Sequence, residues 1–376
     1  MPFAREAFAT LGEAVVVPDR AITRETVRDA DILAVRSTTK VDRALLEGSR
    51  VRFVGTATIG FDHIDTEYLA GRGIAWCAAP GCNANSVSEY VTAALLCLAR
   101  RHGFRLREKT LGVVGVGNVG RLVAQKAVAL GMRVLVNDPP RERAEGNGDV
   151  PFLPLSKVLQ RSDVVTVHVP LNASGTDRTV GLADAEFFAA MKPRAIFLNA
   201  ARGQVVDTEA LVNAIERDQI AHAVIDTWNP EPAFPADLLQ RADLSTPHIA
   251  GHSWEGKVNG TVLVYRSVCR FLDASATWSP DALMPASAVP RIEADARRRD
   301  AEDLLQDIVS RVYDIEEDDR QLRAGASADD AARAQLFEGL RRNYPVRREF
   351  PATRVALKNT QDSLAATLAG LGFKTA

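Results

Sequence analysis

The sequence predicts an α/β protein of two doubly wound parallel-sheet domains followed by a small α+β part, and three observations predict it. Short apolar strands alternate with helical stretches over most of the chain, the pattern of parallel sheets with helical crossovers. A glycine-rich strand–turn–helix lies around Gly115. After about Phe271 the composition changes and Arg, Asp and Glu become dense. A chain of 376 residues is also too long for one compact domain.

In the first part, strands are expected at 14–17, 32–36, 53–57 and 74–77, with helical stretches at 26–30, 45–48 and 65–70 between them. The opening is irregular: Phe3, Ala7, Phe8 and Leu11 form one face of a helix where such a domain normally begins with a strand. In a flavodoxin-like sheet the first strand pairs on both sides, so its absence would leave 14–17 detached. The native protein is therefore expected to start upstream of Met1. A long helix follows at 85–101, with Ser86 and Glu89 spaced as a capping box.

Residues 111–138 organise the middle of the chain. An apolar strand runs into Gly115, Gly117 and Gly120, then a helical run, a break at Gly131 and a second strand ending at Asp138. This is a dinucleotide-binding, Rossmann-type unit. Gly115 permits the tight turn, Gly117 lets backbone approach a pyrophosphate, and Gly120 lets the helix lie close to its strand. The helix opening at Asn118 and Val119 presents N–H groups and a positive dipole end to that anion. Asp138 can accept hydrogen bonds from both ribose hydroxyls and would repel a 2′-phosphate, which favours NAD over NADP.

Further strands at 134–136, 164–169, 195–198 and 221–225 are nearly continuous apolar runs, as a sheet covered on both faces requires. A short element at 244–246 precedes Pro247 and His248, and a helix from about Trp254 is expected to return to the first domain. The expected division is 1–90 with 255–275 as a substrate-binding domain, 91–254 as the NAD-binding domain and 276–376 as a third. The stretch 275–290 reads as a linker, and Leu304, Leu305, Ile308 and Val312 mark an amphipathic helix beyond it.

Composition excludes several functions. Lys plus Arg number 46 against 48 Asp plus Glu, so no basic field invites nucleic acid or an anionic membrane. The longest apolar run, 93–99, is too short to span a bilayer, and Arg5 and Glu6 interrupt any signal peptide. Cys77, Cys82, Cys97 and Cys269 form no C-x-x-C pair, which fits a reducing cytoplasm.

Three stretches at strand ends carry candidate chemistry. Arg202, in Asn199-Ala-Ala-Arg-Gly, can pair bidentately with a substrate carboxylate. Glu231 lies in Asp226-Thr-Trp-Asn-Pro-Glu, and His248 in Pro247-His-Ile-Ala-Gly-His252. A histidine supported by a glutamate suits reversible proton exchange with a hydroxyl, and a nicotinamide that takes a hydride completes the parts of a 2-hydroxy-acid dehydrogenase. His248 and His252 are spaced as helical metal ligands can be, but Pro247 and Gly251 argue for a loop, and no metal is expected. His63, His102, His168 and His222 have no matching partner in sequence and read as structural.

At Arg202, Glu231 and His248 the chain resembles the D-isomer-specific 2-hydroxyacid dehydrogenases, in which Arg, Glu and His occur in this order. Phe53-Val-Gly-Thr-Ala-Thr, Ala79-Pro-Gly-Cys-Asn-Ala and the glycine turn carry the same resemblance. Tyr313-Asp-Ile-Glu-Glu-Asp-Asp and Leu340-Arg-Arg-Asn-Tyr-Pro-Val-Arg-Arg-Glu resemble the C-terminal dimerisation domain of one branch. The resemblance implies that Arg202 orients the carboxylate, Glu231 supports the histidine and His248 is the acid/base. It implies NAD contacts at Asp138, Val169, Ala200, Ala201, Arg202, Asp226 and Gly251, and substrate contacts at Ser37 and Thr58. The family's next substrate contact is a tyrosine; here it is His252. Arg36 and Lys40, beside Ser37, suit a phosphate. The implied partners are a small phosphorylated 2-hydroxy acid, a 2-oxo acid as electron acceptor and a second copy of the chain. Other members of the family, and a nucleotide-sensing corepressor on the same fold, remain alternatives.

Overall fold

The computed structural model describes residues 1–18, 21–146, 151–297, 299–327, 329–359 and 362–375. It divides into two compact units, Met1–Ala84 with Ser253–Ala286, and Asn85–His252 with Ser287–Ala376.

In the first unit, β1 (Ile32–Val35), β2 (Phe53–Thr56) and β3 (Ala75–Cys77) form a parallel sheet in that order. Side chains alternate across it. Leu33, Val35 and Val54 pack with Leu46 and Leu69 on one face, while Ile32, Ala34 and Phe53 meet Val264 and Val268 of the Trp254–Phe271 helix on the other. Glycine is required at position 55, because a Cβ there would lie 2.3 Å from the Val264 Cγ1. The helix read from Phe3, Ala7 and Phe8 is present as Ala4–Phe8, with Ala7 buried against Tyr265 and Cys269. The strand expected at 14–17 is not formed, and Val15 and Val16 are 75% and 53% exposed. Among the described residues no strand pairs along the outer edge of β1. Valine-rich sequence becomes a strand only where a neighbour completes the ladder and buries one face.

The second unit holds a six-stranded parallel sheet of β4 (Thr110–Val114), β5 (Arg133–Asn137), β6 (Val164–Val167), β7 (Ala195–Asn199), β8 (Ile220–Ile225) and β9 (Leu244–Ser245). Its order, β5-β4-β6-β7-β8-β9, reverses direction of growth between β4 and β6. The central strands β4, β6 and β7 are buried along their whole length, which explains their continuous apolar runs. All strands being parallel, their carboxyl ends share one edge, where ligands of open α/β sheets bind.

The long helix of this unit is Ala84–His102, so Ser86 lies inside it and the expected capping box does not form. Both side chains are drawn into tertiary contacts instead. The Ser86 hydroxyl donates to the Ala250 carbonyl at 2.8 Å, and Glu89 accepts from Asn85 Nδ2 and the Phe350 N–H, both at 2.9 Å.

Beyond the linker, β10 (Arg291–Asp295), β11 (Arg354–Lys358) and β12 (Lys374–Thr375) make a third, small sheet, also parallel. The amphipathic helix before β11 spans Ala301–Val312 and buries Leu304, Leu305 and Ile308. These residues, with Phe350 and Leu368, belong to the same buried cluster as Leu95, Leu98 and Leu111 of the dinucleotide-type fold. No helix among the described residues is long and apolar enough to cross a membrane.

Candidate active site

The glycine turn follows β4. Gly115 has a φ of 86°, in the left-handed region that glycine adopts freely. A Cβ on Gly120 would lie 2.0 Å from the Gly115 carbonyl oxygen, so the first turn of the Asn118–Ala129 helix sits against the loop and admits no side chain. At Gly117 the opposite holds: nothing lies within 4 Å of a Cβ position. That open face borders a helix start at which no side chain caps the first N–H groups. A pyrophosphate fits this cradle.

Asp138 directly follows β5, and it has a structural task that went unread in the sequence. Its Oδ2 accepts the Val116 N–H at 2.8 Å, and its Oδ1 accepts the Arg141 N–H at 3.1 Å, capping the Pro139–Glu145 helix. Aspartate followed by proline at the first helical positions was the available signal.

Arg202 follows β7 in a turn laced by Asn199, whose amide accepts from the Ala201 N–H at 3.0 Å and donates to the Arg202 carbonyl at 3.1 Å. The next residue, Gly203, touches the neighbouring turn so closely that a Cβ there would lie 1.7 Å from the Trp228 carbonyl oxygen. That neighbouring turn carries Glu231. Its Oε1 accepts the Trp228 N–H at 2.8 Å, which aims Oε2 at His248 Nδ1, 2.9 Å away. His248 itself has a φ of 55°, unusual for a residue with a side chain. Its N–H donates to the Asp226 carbonyl at 2.8 Å, holding that conformation. Burial raises the Glu231 carboxyl, but the His248 imidazole and the Trp228 N–H outweigh it and hold Glu231 below the ordinary carboxylate range.

Asp226, fully buried at the end of β8, clasps the histidine loop from below. Its Oδ1 accepts the Thr246 hydroxyl and the Ile249 N–H, both at 2.7 Å, and its Oδ2 accepts the Ala250 N–H at 3.1 Å. Tyr90 extends the chain through a 2.8 Å contact with the Thr246 hydroxyl. Sequence reading missed Tyr90 and Thr246, since nothing local marks residues 156 positions apart as partners. Val169, just past β6, also meets the glycine turn: a Cβ on Gly115 would lie 2.8 Å from its Cγ1.

In the first unit Arg36 and Ser37 follow β1 and Thr58 follows β2, so they share the carboxyl edge of that sheet. Thr58 donates to the Gly60 carbonyl at 2.9 Å and meets the Thr56 hydroxyl at 2.7 Å, which contacts His63 Nε2 at 2.9 Å. Burial lowers the His63 pKa against the opposing pull of Asp62. Lys40 is exposed and pairs with Asp42 at 3.1 Å.

His102 and His222, without a matching partner in sequence, have one in the fold. Their rings stack with centroids 3.6 Å apart and share Asp243 Oδ1, at 2.9 Å and 3.0 Å. The three residues come from the end of one helix, one strand and the loop before β9, and only the fold assembles them. His168 is partly buried, its Nε2 2.9 Å from the Thr166 hydroxyl, and desolvation pushes its pKa down to about 3.

Comparison with known proteins identifies the class first. Residues 89–250 match the D-isomer specific 2-hydroxyacid dehydrogenase, NAD binding domain, and residues 283–372 match a domain of unknown function (DUF3410). Among solved structures, NAD+-bound 3-phosphoglycerate dehydrogenase of Entamoeba histolytica is 25% identical, with a TM-score of 0.62 over 72% of this chain and 89% of that one. D-Lactate dehydrogenase of Aquifex aeolicus, complexed with NAD and lactic acid, is 26% identical, with a TM-score of 0.58 over 73% and 92%. Full-length relatives narrow this. Erythronate-4-phosphate dehydrogenase of Edwardsiella ictaluri is 44% identical over 99% of this chain and 96% of its own length. The enzyme of that name from Salinibacter ruber is 45% identical over 96% and 94%. The chain belongs to the erythronate-4-phosphate dehydrogenase family.

Proposed function

We propose that this protein oxidises 4-phospho-D-erythronate at C2 to (R)-3-hydroxy-2-oxo-4-phosphooxybutanoate, a step in pyridoxal 5′-phosphate (vitamin B6) biosynthesis, in the cytoplasm and as a homodimer. The observation that carries the reading is the 2.9 Å contact of His248 with Glu231 on the same sheet edge as Arg202.

Arg202 binds and orients the substrate carboxylate, drawing electron density from the adjacent carbon. Glu231 holds the Nδ1–H of His248, which fixes the tautomer and leaves Nε2 to take the C2 hydroxyl proton. Bound NAD supplies the hydride acceptor. The glycine turn at Gly115, Gly117, Asn118, Val119 and Gly120 would hold its pyrophosphate and Asp138 its ribose, with Val169, Ala200, Ala201, Arg202, Asp226 and Gly251 as further contacts. Ser37, Thr58, Arg36 and His252 would receive the rest of the substrate, and a 2-oxo acid would reoxidise the cofactor. The division into a substrate domain, an NAD domain and a C-terminal dimerisation domain is part of the same proposal.

A turnover assay with 4-phospho-D-erythronate and 3-phosphoglycerate tests it, with the phosphoerythronate expected to be preferred. Arg202→Ala and His248→Ala should each lower kcat/KM by about 10²–10⁴-fold, and the affinity for NAD should be retained in His248→Ala. Near-normal turnover in either variant refutes the assigned roles.

A further inference from the structure

Residues 245–252 leave β9 and carry Pro247, His248 and His252. On the side of the dinucleotide-type sheet, Asp226 holds this loop at Thr246, Ile249 and Ala250, and Glu231 holds it at His248. The C-terminal segment adds contacts of its own. At the start of the loop, the Ser245 N–H donates to Asp319 Oδ1 at 2.7 Å. Asp319 is in turn fixed by Arg323, whose Nε lies 2.8 Å and 2.9 Å from its two oxygens. Arg323 also donates to the Leu239 and Ala242 carbonyls at 2.6 Å and 2.7 Å, which ties the segment to the helix before β9.

At the far end of the loop stands Arg347, a buried arginine. Its Nη2 donates to the Ala250 carbonyl at 2.7 Å and to the Ser86 hydroxyl, and its guanidinium carbon lies 4.2 Å above the Tyr313 ring. Tyr344 meets the His252 ring edge-on, with centroids 5.8 Å apart and planes at 70°, while its hydroxyl donates to Asp318 at 2.9 Å. A buried guanidinium is costly unless its partners are well placed, and here a loop carbonyl two residues past His248 is one of them. The left-handed backbone at His248 persists only if its surroundings over-determine it, and these contacts supply that determination from both ends of the loop.

We infer that the C-terminal segment, whose residues 283–372 match a domain of unknown function, is a brace for the histidine loop, and that Arg347 is its principal positioning residue. The inference rests on the proposed role of His248. The brace sets the distance and angle at which the imidazole meets the substrate hydroxyl, so loss of the Arg347 contacts acts on turnover and leaves the glycine-turn cradle alone.

Arg347→Met, which keeps most of the volume and removes the donors, tests this in the full-length protein. Circular dichroism and NAD affinity should match the parent, amide hydrogen exchange over residues 245–252 should become faster, and kcat with 4-phospho-D-erythronate should fall ~10- to 100-fold with KM for NAD unchanged. Exchange and kcat both within twofold of the parent overturn the proposal. If Arg347→Met does not fold, Arg347→Lys keeps the buried cation but not the second nitrogen, and the same two readouts decide. Should the parent itself turn over no phosphorylated 2-hydroxy acid, the proposed function fails, while the exchange measurement still decides whether the brace exists.

Discussion

Asp226, buried, and Glu231, partly buried, stand at neighbouring points of one sheet edge, and the protein drives their proton affinities in opposite directions. Burial dominates at Asp226 and raises it despite the N–H donors it accepts. At Glu231 burial is outweighed by the imidazole of His248, and the carboxyl stays low. One acid acts as a clasp on the loop, the other remains an anion facing the histidine. His168 carries a consequence for stability. Its folded pKa of about 3 lies below the ordinary 6.5, so between these values the unfolded chain binds a proton that the folded chain refuses. The sign follows: stability is complete above pH 6.5 and falls as the pH drops toward 3, by up to about 1.4 kcal/mol per pH unit. Urea unfolding at pH 6.5 and 4.5 should reveal this loss in the parent and a clearly smaller one in His168→Gln. Equal losses would mean that His168 is not held neutral in the folded state.

At the scale of elements, the Arg202 turn and the Glu231 turn form one assembly through Gly203. A methyl group at that position would lie 1.7 Å from the Trp228 carbonyl oxygen, so the backbones must separate to admit it. Gly203→Ala should therefore cost about 1–3 kcal/mol of stability and also lower kcat/KM, because Trp228 holds Glu231 through its N–H. Thermal unfolding together with steady-state kinetics checks both; a stability loss with intact kcat/KM would show that the turns move without disturbing Glu231. The same elements mark what was legible in the sequence. β4, β6 and β7 were readable because burial on both faces writes an apolar run. Arg202 and Glu231 were readable because each comes after an apolar strand, and His248 because it comes after the short element at 244–246. Residues 14–17 failed because a strand's partner is a fact of the sheet, and Ser86 and Glu89 failed because Ala250 and Phe350 claim side chains that local spacing assigns to a cap. The pairing of His102 with His222 through Asp243, and of Arg347 with Ala250, joins residues far apart in the chain, and no periodicity records such pairs.

At the scale of the molecule, the C-terminal sheet and the dinucleotide-type fold are chemically continuous. Phe350 is fully buried and stacks on Phe373 with centroids 4.5 Å apart at 9°. Its N–H donates to Glu89 inside the Ala84–His102 helix, and its ring lies 5.9 Å from Lys126 Nζ of the helix that follows the glycine turn. Lys126 in turn donates to the Leu371 carbonyl. One apolar cluster joins Phe350, Leu368 and Ile308 to Leu95, Leu111 and Val113. A cavity at Phe350 should therefore be felt at the cofactor cradle although the residue lies outside it. Phe350→Ala is expected to cost about 3–5 kcal/mol, through lost burial plus the cavity left behind. If the second unit unfolds as one body, calorimetry should show the transition that NAD raises shifted down as a whole in the variant. A separate low-temperature transition for the C-terminal sheet, with the NAD-sensitive transition unmoved, would refute this continuity.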